Sequence, residues 1–150
     1  MGHTINLLQD DRILQKLYEG STKSIKDHFG LNQIEIEVID FLAKHPDQNT
    51  ACDIVKSRVL QKGNVSMAVE SLIKKNLLRR LPDKEDRRKI HLYLTLPAET
   101  ISYEIAASHQ VFYSRIFSGM DEDERAQYTT LVDKIMSNAR YEWEEFKKAN

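Results

Sequence analysis

Apolar positions recur at helical spacing along almost the whole chain and divide it into six helices and one short hairpin. The first stripe runs through Ile13 or Leu14, Leu17, Tyr18, Ser21, Ile25 and His28 or Phe29, which predicts one long helix over residues 4–29, ended by Gly30. Asn32 followed three residues later by Glu35 has the spacing of a capping box and opens a second helix through Ile36, Ile39 and Leu42. His45-Pro46-Asp47 reads as a turn, and Thr50 as the cap of a short third helix that points Ile54 and Val55 inward. Val65, Val69, Leu72 and Ile73 form the stripe of a fourth helix, closed by Asn76 in a left-handed cap. The period then changes to two: Leu77 to Leu81 and Ile90 to Leu94 alternate as strands do, around a charged tip from Pro82 to Lys89.

The last third returns to helical spacing. Pro97 suits a first turn, and Ile101, Ile105, Ser108, Phe112 and Ile116 carry that helix to about Ser118. Gly119 breaks it. Asp121 caps a final helix whose first turn holds Glu122, Asp123 and Glu124, where the helix dipole favours negative charge. Its stripe is Tyr128, Leu131, Val132, Ile135, Ala139, Trp143 and Phe146. A helix that long, roughly 40 Å, would overshoot a single domain of this size, so its apolar face calls for a second subunit. The expected fold is mainly α with a small β-wing: a winged helix-turn-helix inside a helical dimerisation scaffold. The lobe would span 31–96, flanked by dimerisation helices over 4–30 and 97–149.

Charge turns this outline into a functional expectation. Between Lys56 and Lys89 eleven Lys or Arg stand against four Asp or Glu, whereas the remainder holds eleven basic and nineteen acidic residues. The net charge of -1 therefore hides a basic segment on an acidic body. Clustered positive charge is what neutralising phosphates requires. A charge-rich surface could instead serve solubility alone; a helix followed at once by a charged hairpin favours DNA.

Other chemistry is sparse. No glycine-rich phosphate loop, nucleophile elbow or convergent His and carboxylate set is present, so no enzyme activity and no cofactor are expected. His3, His28, His45, His91 and His109 lack metal-ligand spacing, and no metal site is expected. Cys52 is the one cysteine and reads as a small buried residue of the third helix. With no signal peptide or apolar run of membrane-spanning length, the expectation is a cytoplasmic protein with no membrane partner.

At Asp83-Lys84-Glu85-Asp86-Arg87-Arg88, followed by Ile90 to Leu94-Thr95, the chain resembles the multiple-antibiotic-resistance-regulator (MarR) family. These residues match the family's Asp-x-Arg wing tip and the Leu-Thr that ends its second wing strand. Val65 to Arg80 is similar to its recognition helix and following strand, and Gly119-Met120-Asp121 to Leu131 to its turn into the last helix. The chain departs from the pattern at three places. Asn76 stands where Gly is usual, Leu96-Pro97-Ala98 replaces Glu-Lys-Gly, and Met67 sits where a polar or basic residue is frequent.

The resemblance implies a homodimer that presents two winged helix-turn-helix units to double-stranded DNA, with half-sites about 10 bp apart. On the recognition helix the apolar stripe leaves Gln61, Lys62, Gly63, Asn64, Ser66, Met67 and Glu70 facing outward. Of these Lys62, Gly63, Asn64, Ser66 and Met67 would face the major groove, Asn64 pairing with adenine and Lys62 approaching guanine. Ser57, Lys74 and Lys75 suit contacts to the DNA backbone. At the wing Arg88 would enter the minor groove, Asp86 would orient it, and Lys84 and Arg87 would meet phosphates. Tyr18, Tyr103, His109, Phe112 and Tyr113, with Phe117, form an aromatic set that is either plain core or the lining of a pocket for a small aromatic effector. The function expected is a repressor released by such an effector; the alternative is a helical protein-interaction adaptor that binds no DNA.

Overall fold

Gly20, Ser21 and Thr22 interrupt what the apolar stripe alone would make continuous. In the computed structural model, which describes residues 7–150 and side chains from residue 10 onward, the first helix is two: α1, Leu7–Gly20, and α2, Lys23–Phe29. The Ser21 and Thr22 hydroxyls donate back to the carbonyls of Tyr18 and Glu19, competing with the backbone amides that would extend α1. The expected start at residues 4–6 lies outside the described residues. Gly30 ends α2 at φ 65°, a left-handed conformation in which only glycine is at ease.

The caps follow the expected chemistry. Asn32 opens α3, Gln33–Lys44, with its side chain accepting from the Glu35 amide while the Glu35 carboxylate accepts from the Asn32 amide. Thr50 and Asp53 repeat this reciprocal pair at α4, Ala51–Arg58, and Asp121 and Glu124 repeat it at α7, Glu122–Ala149. Each box satisfies amides that a helix start leaves orphaned.

Helix α3 is the centre of the core. Its Ile36, Val38, Ile39 and Phe41 are fully buried against Ile54 of α4 and Val65, Val69 and Leu72 of α5, Lys62–Lys74. Asn76, at φ 59°, takes the left-handed position after α5, as its identity predicts. The wing follows as β1, Leu78–Pro82, paired antiparallel with β2, Ile90–Leu94, in the register Leu78 with Leu94 to Pro82 with Ile90. The first strand begins one residue later than the alternation predicts, because the Leu77 amide is spent on the Leu72 carbonyl, closing α5. Ala98, Ile101 and Ile105 of α6, Leu96–Ile116, complete the same core.

Two compact units result, Met1–Phe112 and Tyr113–Asn150. The second consists mainly of α7, in which no residue is buried. Leu131 is 58% exposed, Ile135 48% and Trp143 45%, so much of the apolar stripe of α7 stays open to solvent among the described residues. Ile13, Leu14 and Leu17 of α1 are exposed in the same way. Cys52 is exposed rather than buried, correcting the sequence reading. It lies two residues from Ile54, which α4 turns inward, and two helical residues are about 200° apart.

Candidate nucleic-acid interface

Helices α4 and α5 are joined by Val59-Leu60-Gln61, a three-residue turn with Val59 at φ 53°. Leu60 donates its amide to the Val55 carbonyl, so the turn is tied to the helix that precedes it. Because Val65, Ala68, Val69 and Leu72 face the core, α5 must present its other face, and Lys62, Gly63, Asn64, Ser66, Met67 and Glu70 are all exposed. Gln61 offers no side-chain cap to α5. The first amides of the helix, where its dipole is positive, are left for another acceptor. Ser57 and Lys74 are exposed as well.

Lys75 is not placed as the sequence suggests. Its ammonium donates to the Glu35 carboxylate at 2.8 Å and the Gly30 carbonyl at 2.7 Å, binding the end of α5 to the start of α3. We therefore take it out of the DNA-facing set: its charge already neutralises a buried carboxylate.

The wing tip is a turn built on Asp83. One oxygen of its carboxylate accepts the Glu85 and Asp86 amides at 3.0 Å each, and the other faces His91 Nε2 at 2.7 Å. The Asp86 amide, the imidazole and the Glu85 amide hold the Asp83 pKa down to about 2. His91 Nδ1 in turn faces the Asn49 side-chain oxygen at 2.6 Å, and the Leu92 amide donates to the Asn49 carbonyl. This bridge fixes the wing to the loop before α4. Beyond it Lys84, Arg87 and Arg88 stand in solvent, the Arg88 side chain 94% exposed. Asp86 accepts the Arg88 amide at 3.1 Å and lies 3.4 Å from its Nε, which orients the guanidinium loosely. Arg80 of β1 reaches Glu70 of α5 at 2.7 Å, linking wing and helix.

Sequence reasoning missed the organisers of this surface: Asn49, Asp83 and His91 at the wing, and the cluster beneath α4. In that cluster Arg58 donates to Glu37 at 2.8 Å and to Asp40 at 2.9 Å, while Lys44 reaches the same Asp40 oxygen. Burial works to lower the Arg58 pKa, but the Asp40 hydrogen bond and the charges of Glu37 and Asp40 raise it on balance. Asp40 inside an apolar run was the available signal, since a buried carboxylate needs a partner.

Within the first unit the aromatic set falls in two places. Tyr18 stacks on His109 with ring centroids 4.5 Å apart and meets Phe112 edge-on at 5.6 Å. Tyr103, however, is 75% exposed and lines a separate groove of about 420 Å³ with Leu42, Pro46, Arg79 and Tyr93. Tyr113 belongs to the second unit, where it stacks on Phe117. Six residues of helix turn a side chain about 240° away. Tyr103 and His109 therefore cannot share a face of α6.

His109 is buried, neither ring nitrogen has a hydrogen-bond partner among the described residues, and Asp40 is 3.8 Å from Nδ1. Burial lowers its pKa from the ordinary 6.5; Lys44 and Arg58 add to this and Asp40 opposes it. The sign follows. The unfolded chain takes up a proton near pH 6.5 that the folded chain refuses, so stability is full above that pH and falls below it. In urea unfolding, the loss between pH 7 and 5.5 should be smaller in His109→Leu than in the wild type. The difference would approach at most about 1.4 kcal/mol per pH unit. Equal slopes would show that His109 titrates normally in the fold.

Comparison with known proteins agrees with this geometry. A family model described as MarR family matches residues 29–89, from the end of α2 to the wing tip. The HTH-type transcriptional regulator YkoM of Bacillus subtilis (strain 168) is 28% identical over 123 residues, covering 82% of this chain and 79% of that protein. The crystal structure of transcriptional regulator PA3341 superposes with a TM-score of 0.77 at 27% identity, covering 90% of this chain and 96% of that one. A MarR family regulator from Listeria monocytogenes, solved with a 26mer DNA, gives a TM-score of 0.87 at 16% identity, over 98% of this chain and 97% of its own.

Proposed function

We propose that this chain, which is similar over residues 29–89 to the MarR family of DNA-binding transcriptional regulators, works not as an enzyme but as a homodimeric repressor on a pseudo-palindromic operator. The observation that carries this reading is an exposed α5 face and an exposed basic wing on one lobe, linked by the Arg80–Glu70 ion pair. Lys62, Gly63, Asn64, Ser66 and Met67 meet the major groove, with Asn64 and Lys62 reading base edges. Arg88 enters the minor groove with Asp86 beside it, Lys84 and Arg87 contact phosphates, and Ser57 and Lys74 contact the flanking backbone. The DNA complex of the Listeria protein, which shares the fold, supports this mode.

A second copy covers the apolar stripes of α1 and α7, so that 4–30 and 97–149 dimerise and 31–96 binds DNA. Half-sites then lie about 10 bp apart. A small aromatic effector competes for the space where Tyr18, His109 and Phe112 meet, and shifts the dimer to a spacing that no longer fits the operator. The protein works in the cytoplasm, where its DNA is.

Gel-shift titration on a duplex from upstream of its own coding sequence, at several salt concentrations, tests the reading. The wild type should retard the duplex and lose affinity steeply as salt rises. Arg88→Ala should bind more weakly, with a salt slope shallower by about one per wing. Unchanged affinity and slope would overturn the wing assignment. No retardation at low salt would overturn DNA binding itself.

A further inference from the structure

Met67 is the one large apolar side chain exposed on the outward face of α5, at 73%, among Lys62, Asn64 and Ser66. A methionine that solvated serves no packing purpose: the core of this helix is complete with Val65, Ala68, Val69 and Leu72. Gly63, four residues earlier, is equally unexplained by the fold. A Cβ added there would meet nothing within 4 Å, and the residue is not among the positive-φ glycines. Glycine is nevertheless a poor residue for a helix.

The two facts fit each other. Residues four apart lie on one face and helical side chains lean toward the N-terminus, so the Met67 side chain and the bare backbone of Gly63 share one stretch of the outward face. The next residue along that face, Glu70, has its charge tied to Arg80 at 2.7 Å. The result is a shallow apolar platform near the N-terminal end of the recognition helix, framed by hydrogen-bonding side chains. Among the groups that base pairs display in the major groove, only the thymine C5-methyl is apolar.

We propose that Gly63 and Met67 form a thymine-methyl reader, and that Met67 sets operator specificity by demanding a T·A pair at one position of each half-site. This rests on the DNA-binding mode argued above. Methionine suits the task because its unbranched, polarisable side chain adapts to a small apolar target.

The experiment selects duplexes from a random pool with the full-length protein. Each thymine of the enriched site is then replaced, one symmetric pair at a time, by deoxyuridine, which differs only in lacking the methyl group. At one position per half-site, affinity of the wild type should fall about fourfold, or about 15-fold for the symmetric pair. This is the ~0.8 kcal/mol of one buried methyl at 1.4 kcal/mol per tenfold. Met67→Ala should bind the thymine and deoxyuridine duplexes equally, and Met67→Leu should keep most of the preference. Met67→Ala should retain the wild-type thermal midpoint, because the side chain packs on nothing. A protein that binds DNA but shows no thymine-methyl preference dependent on Met67 overturns the reader while leaving DNA binding intact. A protein that enriches no duplex overturns both.

Discussion

Replacing Arg58 with alanine is expected to destabilise the fold by about 3 kcal/mol, the lower end of what breaking a buried ion pair costs. The guanidinium is the only bridge from α4 to both Glu37 and Asp40 among the described residues, and the two acceptor side chains are 14% and 3% exposed. Without it Glu37 loses this cation, and Asp40 keeps Lys44 and the His109 ring 3.8 Å away. The guanidinium also lies 5.7 Å from the centroid of the Phe41 ring, so its removal loosens packing on the central helix as well as charge balance. Lysine should rescue only part of the loss, since an ammonium cannot span two carboxylates with the planar fork of arginine. Urea unfolding at pH 7 checks this. A loss below about 1 kcal/mol for Arg58→Ala would mean that water replaces the guanidinium at little cost. Operator affinity should fall further than loss of an exposed Ser57 or Lys74 would explain, because Arg58 ties the end of α4 to α3.

The second large effect concerns assembly. Ile135→Glu puts a charge in the middle of the α7 stripe, where Leu131 and Trp143 flank it along one face. If a second copy covers that face, the variant must bury an unpaired carboxylate or dissociate. We expect light scattering to show the wild type as a dimer and Ile135→Glu as a monomer. Operator affinity should drop by two to four orders of magnitude, the advantage that a second linked lobe confers. Ile135 is not buried within its own chain, so the monomer should remain folded by circular dichroism. A variant that stays dimeric would place the subunit contact elsewhere.

How much of this was legible beforehand depended on the range of the interaction. Asn32 with Glu35, Thr50 at α4 and Asp121 at α7 were readable because a cap is a matter of three residues. Asn76 was readable because few residues tolerate its backbone conformation. The outward face of α5 followed from its apolar stripe. The break between α1 and α2 was hidden, since the stripe continues through Ser21 to Ile25 and only hydroxyl bonds to Tyr18 and Glu19 end the helix. Lys75 looked like any basic residue beside a basic segment; its partner Glu35 lies 40 residues away in sequence. Separations of 18 and 42 residues likewise hid Arg58 with Asp40 and His91 with Asn49. Composition can announce that a buried charge needs a partner, but not which one.

The bridge from Asn49 through His91 to Asp83 carries a mechanical implication. Its two ends sit at the entrance to α4 and at the base of the wing turn, so on the proposed binding mode the seating of the helix pair and the reach of the wing are geared together. Tilting the first drags the second, and neither can be tuned alone. A substitution at Asn49, far from any base, should therefore surface as a changed footprint at the outer edge of the half-site.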